Sequence, residues 1–187
     1  EFKTTRKHLI LDESFLDFAV GGVESSLLNT ADLDRFSNLI VIKSIGKSYG
    51  VGGLRLGVMA SSDTELVKSV KSAIPIWNIN SVAEFYLQII GKYSSQYNTS
   101  CKQLIEARVE LFKQLQEMSY LKPYESQANY IFCKVIDKDA HQLAIDLCEK
   151  YSILIKDCSG KSSVDGQYIR VAVRGFNDNK SLINGLK

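Results

Sequence analysis

The sequence predicts an α/β domain followed by a smaller α+β region, and two observations support this prediction. Short apolar runs without alternation, at residues 9–11, 39–42 and 54–60, are typical of strands that are covered on both faces. Other segments repeat apolar residues at three- and four-residue steps, as helices packed on a sheet do. With 187 residues, the chain is long enough for one domain with a small second lobe.

The first half of the chain alternates strands and helices. The run at residues 9–11 reads as a strand that ends at Asp12. A helix is predicted for residues 63–73, and Pro75 ends it because proline cannot continue a helix. A second helix is predicted for residues 80–97.

A long helix predicted for residues 100–118 marks the boundary between two lobes, because long helices of this kind commonly bridge domains. We therefore predict one domain at residues 1–97, and the bridging helix with a small C-terminal domain at residues 98–187. The predicted elements of the second part are a strand at 130–136, a helix at 140–151, a strand at 153–155, a polar loop at 159–166, a strand at 168–173 and a helix at 177–186.

The composition is that of an ordinary soluble globular protein, with 45% hydrophobic and 24% charged residues and a net charge of +2. The basic residues are dispersed, which argues against nucleic-acid or membrane partners. No apolar run approaches a membrane span, and a signal-peptide pattern is lacking. The four cysteines form no CxxC pair and only two histidines are present, so we predict reduced thiols, no metal site and a cytoplasmic location.

A glycine-rich segment at residues 44–57 carries the candidate chemistry. It contains Ser44, Lys47 and Arg55 between two predicted strands, and its five glycines permit a close approach of the backbone to a ligand. A hydroxyl, an amine and a guanidinium suit a ligand with an anionic group and a carbonyl. The segment is not a Walker A loop, because no glycine lies five residues before the Gly46–Lys47 pair. Taken alone, the segment could equally be a connector with incidental charges.

The spacing of these residues resembles the cofactor-lysine motif of fold type I pyridoxal-phosphate enzymes, the aspartate aminotransferase-like family. Ser44 lies three residues before Lys47, Arg55 lies eight after it, and Asp12 lies 35 before it at the end of a predicted strand. Three matches in register, each on the expected element, are far more specific than any one of them.

The resemblance extends over essentially the whole chain. Residues 75–81, 126–130 and 168–173 resemble segments of histidinol-phosphate aminotransferases and threonine-phosphate decarboxylases. This resemblance implies that the chain consists of the C-terminal part of the cofactor-binding large domain followed by the small α+β domain. Family members are about twice this length, as expected of chains with more than one domain, so we expect a C-terminal half of a longer polypeptide.

The resemblance implies a role for each candidate site residue. Lys47 would carry pyridoxal 5'-phosphate as a Schiff base and later move the substrate proton, and Asp12 would face the pyridine nitrogen. Ser44 and Arg55 would hold the cofactor phosphate, and Arg170 would bind the substrate α-carboxylate. Where this family usually has a tyrosine three residues after the aspartate, the chain has Phe15, which slightly favours a decarboxylase-like member.

Each assignment has a simpler alternative. Lys47 could be a solvated loop lysine, and Asp12 could be a strand-end or helix-cap residue. Arg55 could form a surface ion pair, and Arg170 could be an exposed strand position. Arg174 shares a strand face with Arg170, and a surface role is preferred for it over contact with a substrate phosphate.

The predicted function is transamination of an amino acid or amino-phosphate, and the same residues could support decarboxylation instead. A contrasting hypothesis is a folded piece that binds no cofactor and has no activity, and we expect the isolated chain to be inactive. The resemblance also implies that the intact protein is a homodimer.

Overall fold

A computed structural model of the chain describes residues 7–161 and 165–187, so part of the loop predicted at residues 159–166 lies outside the described residues. The chain divides into two compact units, Glu1–Thr99 and Ser100–Lys187. The first contains β1 (Leu9–Asp12), α1 (Thr30–Arg35), β2 (Leu39–Ser44), α2 (Ile45–Ser48), β3 (Gly57–Ala60), α3 (Thr64–Ala73), α4 (Ser81–Ile89) and the start of α5 (Ser94–Gln116). The second contains the rest of α5, then β4 (Leu121–Pro123), β5 (Tyr130–Val135), α6 (Ala140–Tyr151), β6 (Lys156–Asp157), β7 (Tyr168–Ala172) and α7 (Phe176–Leu186).

The sheet of the first unit has the strand order β1-β2-β3, with β1 parallel to β2 and β3 antiparallel to β2. The first half of β2 is buried on both faces, as the sequence predicts, with Val41 fully enclosed. The same prediction is wrong for the outer strands, where Ile10 is 63% exposed and Val58 is 41% exposed. Each outer strand has a neighbour on only one side among the described strands, and the described elements leave these two side chains partly uncovered.

The strand predicted for residues 54–60 is shorter in the structure. Residues 52–54 form a 3-10 turn, and Arg55 follows in the left-handed region with φ of 58°. The backbone becomes extended only at Gly57, where β3 begins opposite Ser44. Several closely spaced glycines allow this turn, so an apolar run alone did not define the strand.

The helix predicted for residues 63–73 is confirmed, with Asp63 accepting a hydrogen bond from the Leu66 amide at 3.0 Å as its N-cap. The helix predicted for residues 80–97 is interrupted. Asn80 caps α4, but α4 ends at Ile89, a 3-10 turn spans Ile90–Tyr93, and α5 begins at Ser94. Gly91 lies in this turn, and glycine is a poor helix-interior residue.

The second unit has an antiparallel sheet with the order β4-β5-β7-β6. Residues in β5 and β7 alternate between buried and more exposed positions, so one face of the sheet packs into the core against the helices. The strand predicted at residues 153–155 is wrong, because pairing with β7 begins only at Lys156, opposite Arg170. The short strand β4 was not predicted.

The four cysteines are unpaired thiols, three of them buried and Cys148 exposed. Burial raises the pKa of the Cys133 thiol to about 12, so it packs as a neutral side chain. Within the described part of the chain, no helix is both long and apolar enough to cross a membrane. The same residues contain no cluster of three or more potential metal-ligating side chains.

Arg108 is a buried cation that ties α5 to the loop before β5. It is 4% exposed, and its guanidinium donates to the Ala128 carbonyl at 2.9 Å and to Gln127 Oε1 at 3.5 Å. Burial lowers the pKa of this guanidinium because the charged form loses hydration. The sequence pattern of the helix did not indicate this residue as part of the interior.

Replacing Arg108 with methionine is expected to lower the free energy of unfolding by about 2 kcal/mol, because the partly buried Ala128 carbonyl loses its charged donor. Denaturant unfolding followed by circular dichroism measures this change. Lys113→Met, at an exposed position of the same helix, is the matched control and should change stability by less than about 0.5 kcal/mol. Equal stability of the two variants would contradict the structural role of Arg108.

Candidate active site

The two central candidate residues lie at the same edge of the first sheet. Asp12 is the last residue of β1, and Lys47 lies in the single turn of α2 that directly follows β2. Because β1 and β2 are parallel and paired in register, with Asp12 opposite Ile42, both strands end at this edge. Ligand sites in α/β sheets form at the carboxyl ends of parallel strands.

Asp12 is exposed at this edge and is held as a carboxylate by its neighbour Ser14. Its Oδ1 accepts from the Ser14 amide at 2.9 Å. The pKa of Asp12 is lowered, first by the Ser14 hydroxyl, next by this amide, and further by the positive charge of Lys47. Since a lowered pKa favours the charged form, Asp12 is ionised at neutral pH.

Lys47 presents its amine to the ring of Phe15. The distance from Nζ to the ring centroid is 4.6 Å, within the range of a cation–π contact. Phe15 belongs to the turn that follows Asp12, so the chain segments after β1 and β2 meet at the lysine. The residue that lacks the expected hydroxyl therefore supports the amine with its ring face.

Gly46, directly before Lys47, lies close to the backbone of the following loop. A Cβ at this position would lie 3.3 Å from the Gly52 Cα and 3.4 Å from the Val51 carbonyl oxygen. The Gly46 amide also donates to the Leu56 carbonyl at 3.4 Å. The loop after α2 folds back onto the lysine turn, and this close approach favours glycine at position 46.

Ser44 and Arg55 lie on either side of this loop. Ser44 is the N-cap of α2 but makes no capping hydrogen bond with its side chain, while its amide donates to Ser14 Oγ at 2.9 Å. Arg55 is exposed, and its Nη1 donates to the Gly52 carbonyl at 3.4 Å. A left-handed arginine is strained, and such strain clusters at ligand sites.

Arg170 and Arg174 belong to the second unit. Arg170 is exposed on β7, with its guanidinium carbon 4.9 Å from the centroid of the Tyr130 ring on the neighbouring strand β5. Arg174 forms an exposed ion pair with Asp178 at 2.7 Å. In the first unit, Ser14 connects Asp12 with Ser44, and the ring of Phe15 meets the amine of Lys47. The guanidinium of Arg55 contacts only the nearby Gly52 carbonyl among the hydrogen bonds of the described residues.

Sequence reasoning missed Ser14, which connects two of the candidate residues. Its hydroxyl and amide bind Asp12, and its oxygen accepts from the Ser44 amide. One signal was available in the sequence: an aspartate side chain commonly accepts from the amide two residues later in an Asx-turn. The second connection depends on strand pairing and has no local signal.

The fold is that of an α/β protein, and the lysine–aspartate pair marks a candidate ligand site at the ends of two parallel strands. The chain belongs to the aminotransferase class I and II family, whose model matches residues 2–181. This family comprises pyridoxal-phosphate-dependent enzymes. Its curated members similar to this chain include histidinol-phosphate aminotransferases and L-serine phosphate decarboxylases.

Three proteins with known names are similar to this chain. The CMP-5'-(3-aminopropyl)phosphonate synthase of Streptomyces rubellomurinus is 36% identical over 94% of this chain and 28% of its own length. A histidinol-phosphate aminotransferase of Caldanaerobacter subterraneus is 32% identical over 83% of this chain and 42% of its own length. The structure of a decarboxylase from Sulfurospirillum multivorans superimposes with a TM-score of 0.84 and 27% identity, over 96% of this chain and 51% of that one. The chain spans about half, or less, of the length of these proteins.

Proposed function

We propose that the protein containing this chain is a pyridoxal-phosphate-dependent aminotransferase that acts on an amino acid or amino-phosphate and is anchored to its cofactor through Lys47. The observation that carries this proposal is the position of the Lys47 amine and the ionised Asp12 carboxylate at the ends of adjacent parallel strands. In this proposal residues 1–97 belong to the cofactor-binding large domain, and residues 98–187 form the bridging helix and the small domain.

The side chains present match the chemical groups of pyridoxal 5'-phosphate. Lys47 offers an exposed amine to an aldehyde, and Asp12 offers an ionised carboxylate to a protonated pyridine nitrogen. Ser44 offers a hydroxyl with no capping role, and Arg55 offers a guanidinium with one weak backbone contact, both suited to phosphate oxygens. The donor set therefore fits the cofactor of the family.

Each residue then has a defined task. When bound, pyridoxal phosphate supplies an aldehyde that links to amines and a ring that accepts electron density from the substrate α-carbon. Lys47 would hold the aldehyde carbon and would accept and return the proton at the substrate α-carbon. Asp12 would keep a proton on the pyridine nitrogen. Ser44 and Arg55 would bind the phosphate oxygens, with Arg55 able to form two parallel hydrogen bonds.

Arg170 is proposed to bind the α-carboxylate of the substrate. Replacing it with lysine is expected to raise KM for an amino-acid substrate by roughly 30-fold, because a lysine cannot form the paired hydrogen bonds of a guanidinium. Steady-state kinetics on the intact protein measures this effect. Arg174→Lys is the matched control, since Arg174 is paired with Asp178 at the surface, and its KM should stay within about twofold. Equal KM values for the two variants would remove Arg170 from the proposed site.

Decarboxylation of an amino-acid phosphate is the second candidate function. It is supported by Phe15 in the place of the usual tyrosine and by the similarity to the Sulfurospirillum decarboxylase. The two reactions leave different products from one substrate. Incubating the intact protein with pyridoxal phosphate, O-phosphoserine and 2-oxoglutarate distinguishes them: glutamate and an oxo acid support transamination, and carbon dioxide with phosphoethanolamine supports decarboxylation.

The non-catalytic alternative is tested by adding pyridoxal phosphate to this chain and to the intact polypeptide. A visible absorption band in the intact polypeptide supports the enzyme proposal. A band in the intact polypeptide but not in the isolated chain means that the chain alone does not hold the cofactor. No band in either would reject the proposed function.

We also propose that the intact protein is a homodimer, as expected from its family resemblance. The segment before α4 exposes large apolar side chains, among them Ile76 at 85% and Trp77 at 93%, and Phe85 in α4 is 59% exposed. Large apolar side chains exposed so close together in the sequence are consistent with a surface that a partner chain covers. Light scattering on the intact protein should give the mass of two chains, and a monomer mass would reject this proposal.

A further inference from the structure

Asp17 is a buried carboxylate close to the candidate site, and the proposed mechanism gives it no role. Its side chain is 3% exposed, and it lies two residues after Phe15 in the turn that follows β1. Its Oδ1 accepts from Lys43 Nζ at 2.5 Å, and its Oδ2 accepts from the Tyr97 hydroxyl. The lysine side chain is itself only 14% exposed. Burying two charges costs hydration, so such a pair is weak evidence for stability alone.

The two partners of Asp17 connect it to both ends of the segment that carries Lys47. Lys43 is next to Ser44 in β2, four residues before Lys47. Tyr97 stacks on Tyr49, with ring centroids 3.8 Å apart and planes 12° from parallel. Tyr49 is the C-cap residue of α2. The carboxylate is therefore linked directly to one end of the lysine turn and through two aromatic rings to the other.

We propose that Asp17 is a positioning residue for Lys47, which holds the turn bearing Phe15 against the segment at residues 43–49. This inference rests on the proposed function, because it concerns how the Lys47 amine meets the cofactor. The centroid of the Phe15 ring lies 4.6 Å from the Lys47 Nζ, so displacement of the turn that carries Asp17 would move Phe15 relative to the amine. Small displacements of reacting groups have large effects on reactivity.

The chain offers a matched control in Glu13. This carboxylate is also buried, at 2% exposure, and it lies in the same segment. It accepts from the Ser26 hydroxyl at 2.6 Å and from the Leu27 amide at 2.8 Å, so it anchors the loop before α1 and not the lysine turn. Glu13→Gln should therefore lose stability without moving Lys47.

The test uses Asp17→Asn, Tyr97→Phe and Glu13→Gln in the intact polypeptide, with the visible absorption of bound pyridoxal phosphate as the probe. Asp17→Asn leaves the Lys43 charge without its partner, which disfavours a protonated group nearby, so the pH midpoint of the band should fall by about one unit. Its dissociation constant for pyridoxal phosphate should rise about tenfold. Tyr97→Phe keeps both charges and removes one hydrogen bond, so this constant should rise about threefold.

Glu13→Gln should keep the midpoint and the dissociation constant within about twofold of the unsubstituted protein while its Tm falls, because a buried acceptor is weakened. Equal changes in Glu13→Gln and Asp17→Asn would overturn the inference, as would an unchanged dissociation constant in Tyr97→Phe. If Asp17→Asn does not fold, Tyr97→Phe decides the question alone. Absence of a band in the unsubstituted protein overturns the proposed function together with this inference, whereas a band that responds equally to all three substitutions overturns this inference only.

Discussion

Lys47→Ala is expected to abolish the visible absorption band of the protein loaded with pyridoxal phosphate and to lower kcat by roughly 10⁴-fold or more. The reason is that in the proposed mechanism one amine performs two tasks, since it would anchor the cofactor and move the proton at the substrate α-carbon. Alanine provides neither function. Absorption spectra and steady-state kinetics on the intact protein measure both effects.

The control for this substitution is Lys71→Ala, which removes an exposed lysine from α3. It should retain the band and change kcat by less than about twofold, because isolated surface substitutions have small effects. A Lys47→Ala protein that keeps the band at full intensity would mean that another amine holds the cofactor. Mass spectrometry after borohydride reduction would then identify the modified residue.

Asp12→Asn is expected to lower kcat by about 10³-fold while the protein still binds pyridoxal phosphate. Asparagine is similar in size but carries no negative charge, so it cannot keep a proton on the pyridine nitrogen. The ring would then accept electron density poorly, which affects the chemical step more than binding. Comparing the change in kcat with the change in KM separates an effect on the chemical step from an effect on binding.

The pH dependence of Asp12 follows from its hydrogen bonds to Ser14. Because its pKa is lowered in the folded protein, the charged form and its stabilising interactions are present above the ordinary pKa of an aspartate. They are lost only as the pH falls through the lowered value. Activity that depends on Asp12 should accordingly persist to acidic pH.

The control for Asp12→Asn is Asp34→Asn, at an exposed position in α1, which should leave kcat within about twofold. An equal loss of kcat in Asp12→Asn and Asp34→Asn would exclude the ring-nitrogen role.

Local sequence patterns determined the elements whose ends have their own chemical signals. The helix α3 begins after Asp63 and ends before Pro75, because one side chain caps the first turn and the other prevents continuation. The helix α6 has the predicted bounds, with Asp139 as its N-cap. The spacing of Asp12, Ser44, Lys47 and Arg55 was sufficient to predict the family, and the family match confirms it.

Burial and helix continuity were decided by the tertiary structure. The apolar run of β1 suggested a strand covered on both faces, yet Ile10 is exposed because the described elements leave its face of β1 uncovered. Apolar steps continued through residues 80–97, but the chain breaks its helix around Gly91. Hydrophobic periodicity records which residues are apolar and does not record which neighbours cover them.

The arrangement around Lys47 also depended on the tertiary structure. Asp17 meets Lys43 across 26 residues and Tyr97 across 80 residues, and Ser14 meets Ser44 across 30. A sequence pattern specifies which groups are available at short spacing along the chain. Only strand pairing and helix packing bring distant groups within hydrogen-bonding distance, so the residues proposed to position the lysine could be identified from the fold and not from the motif.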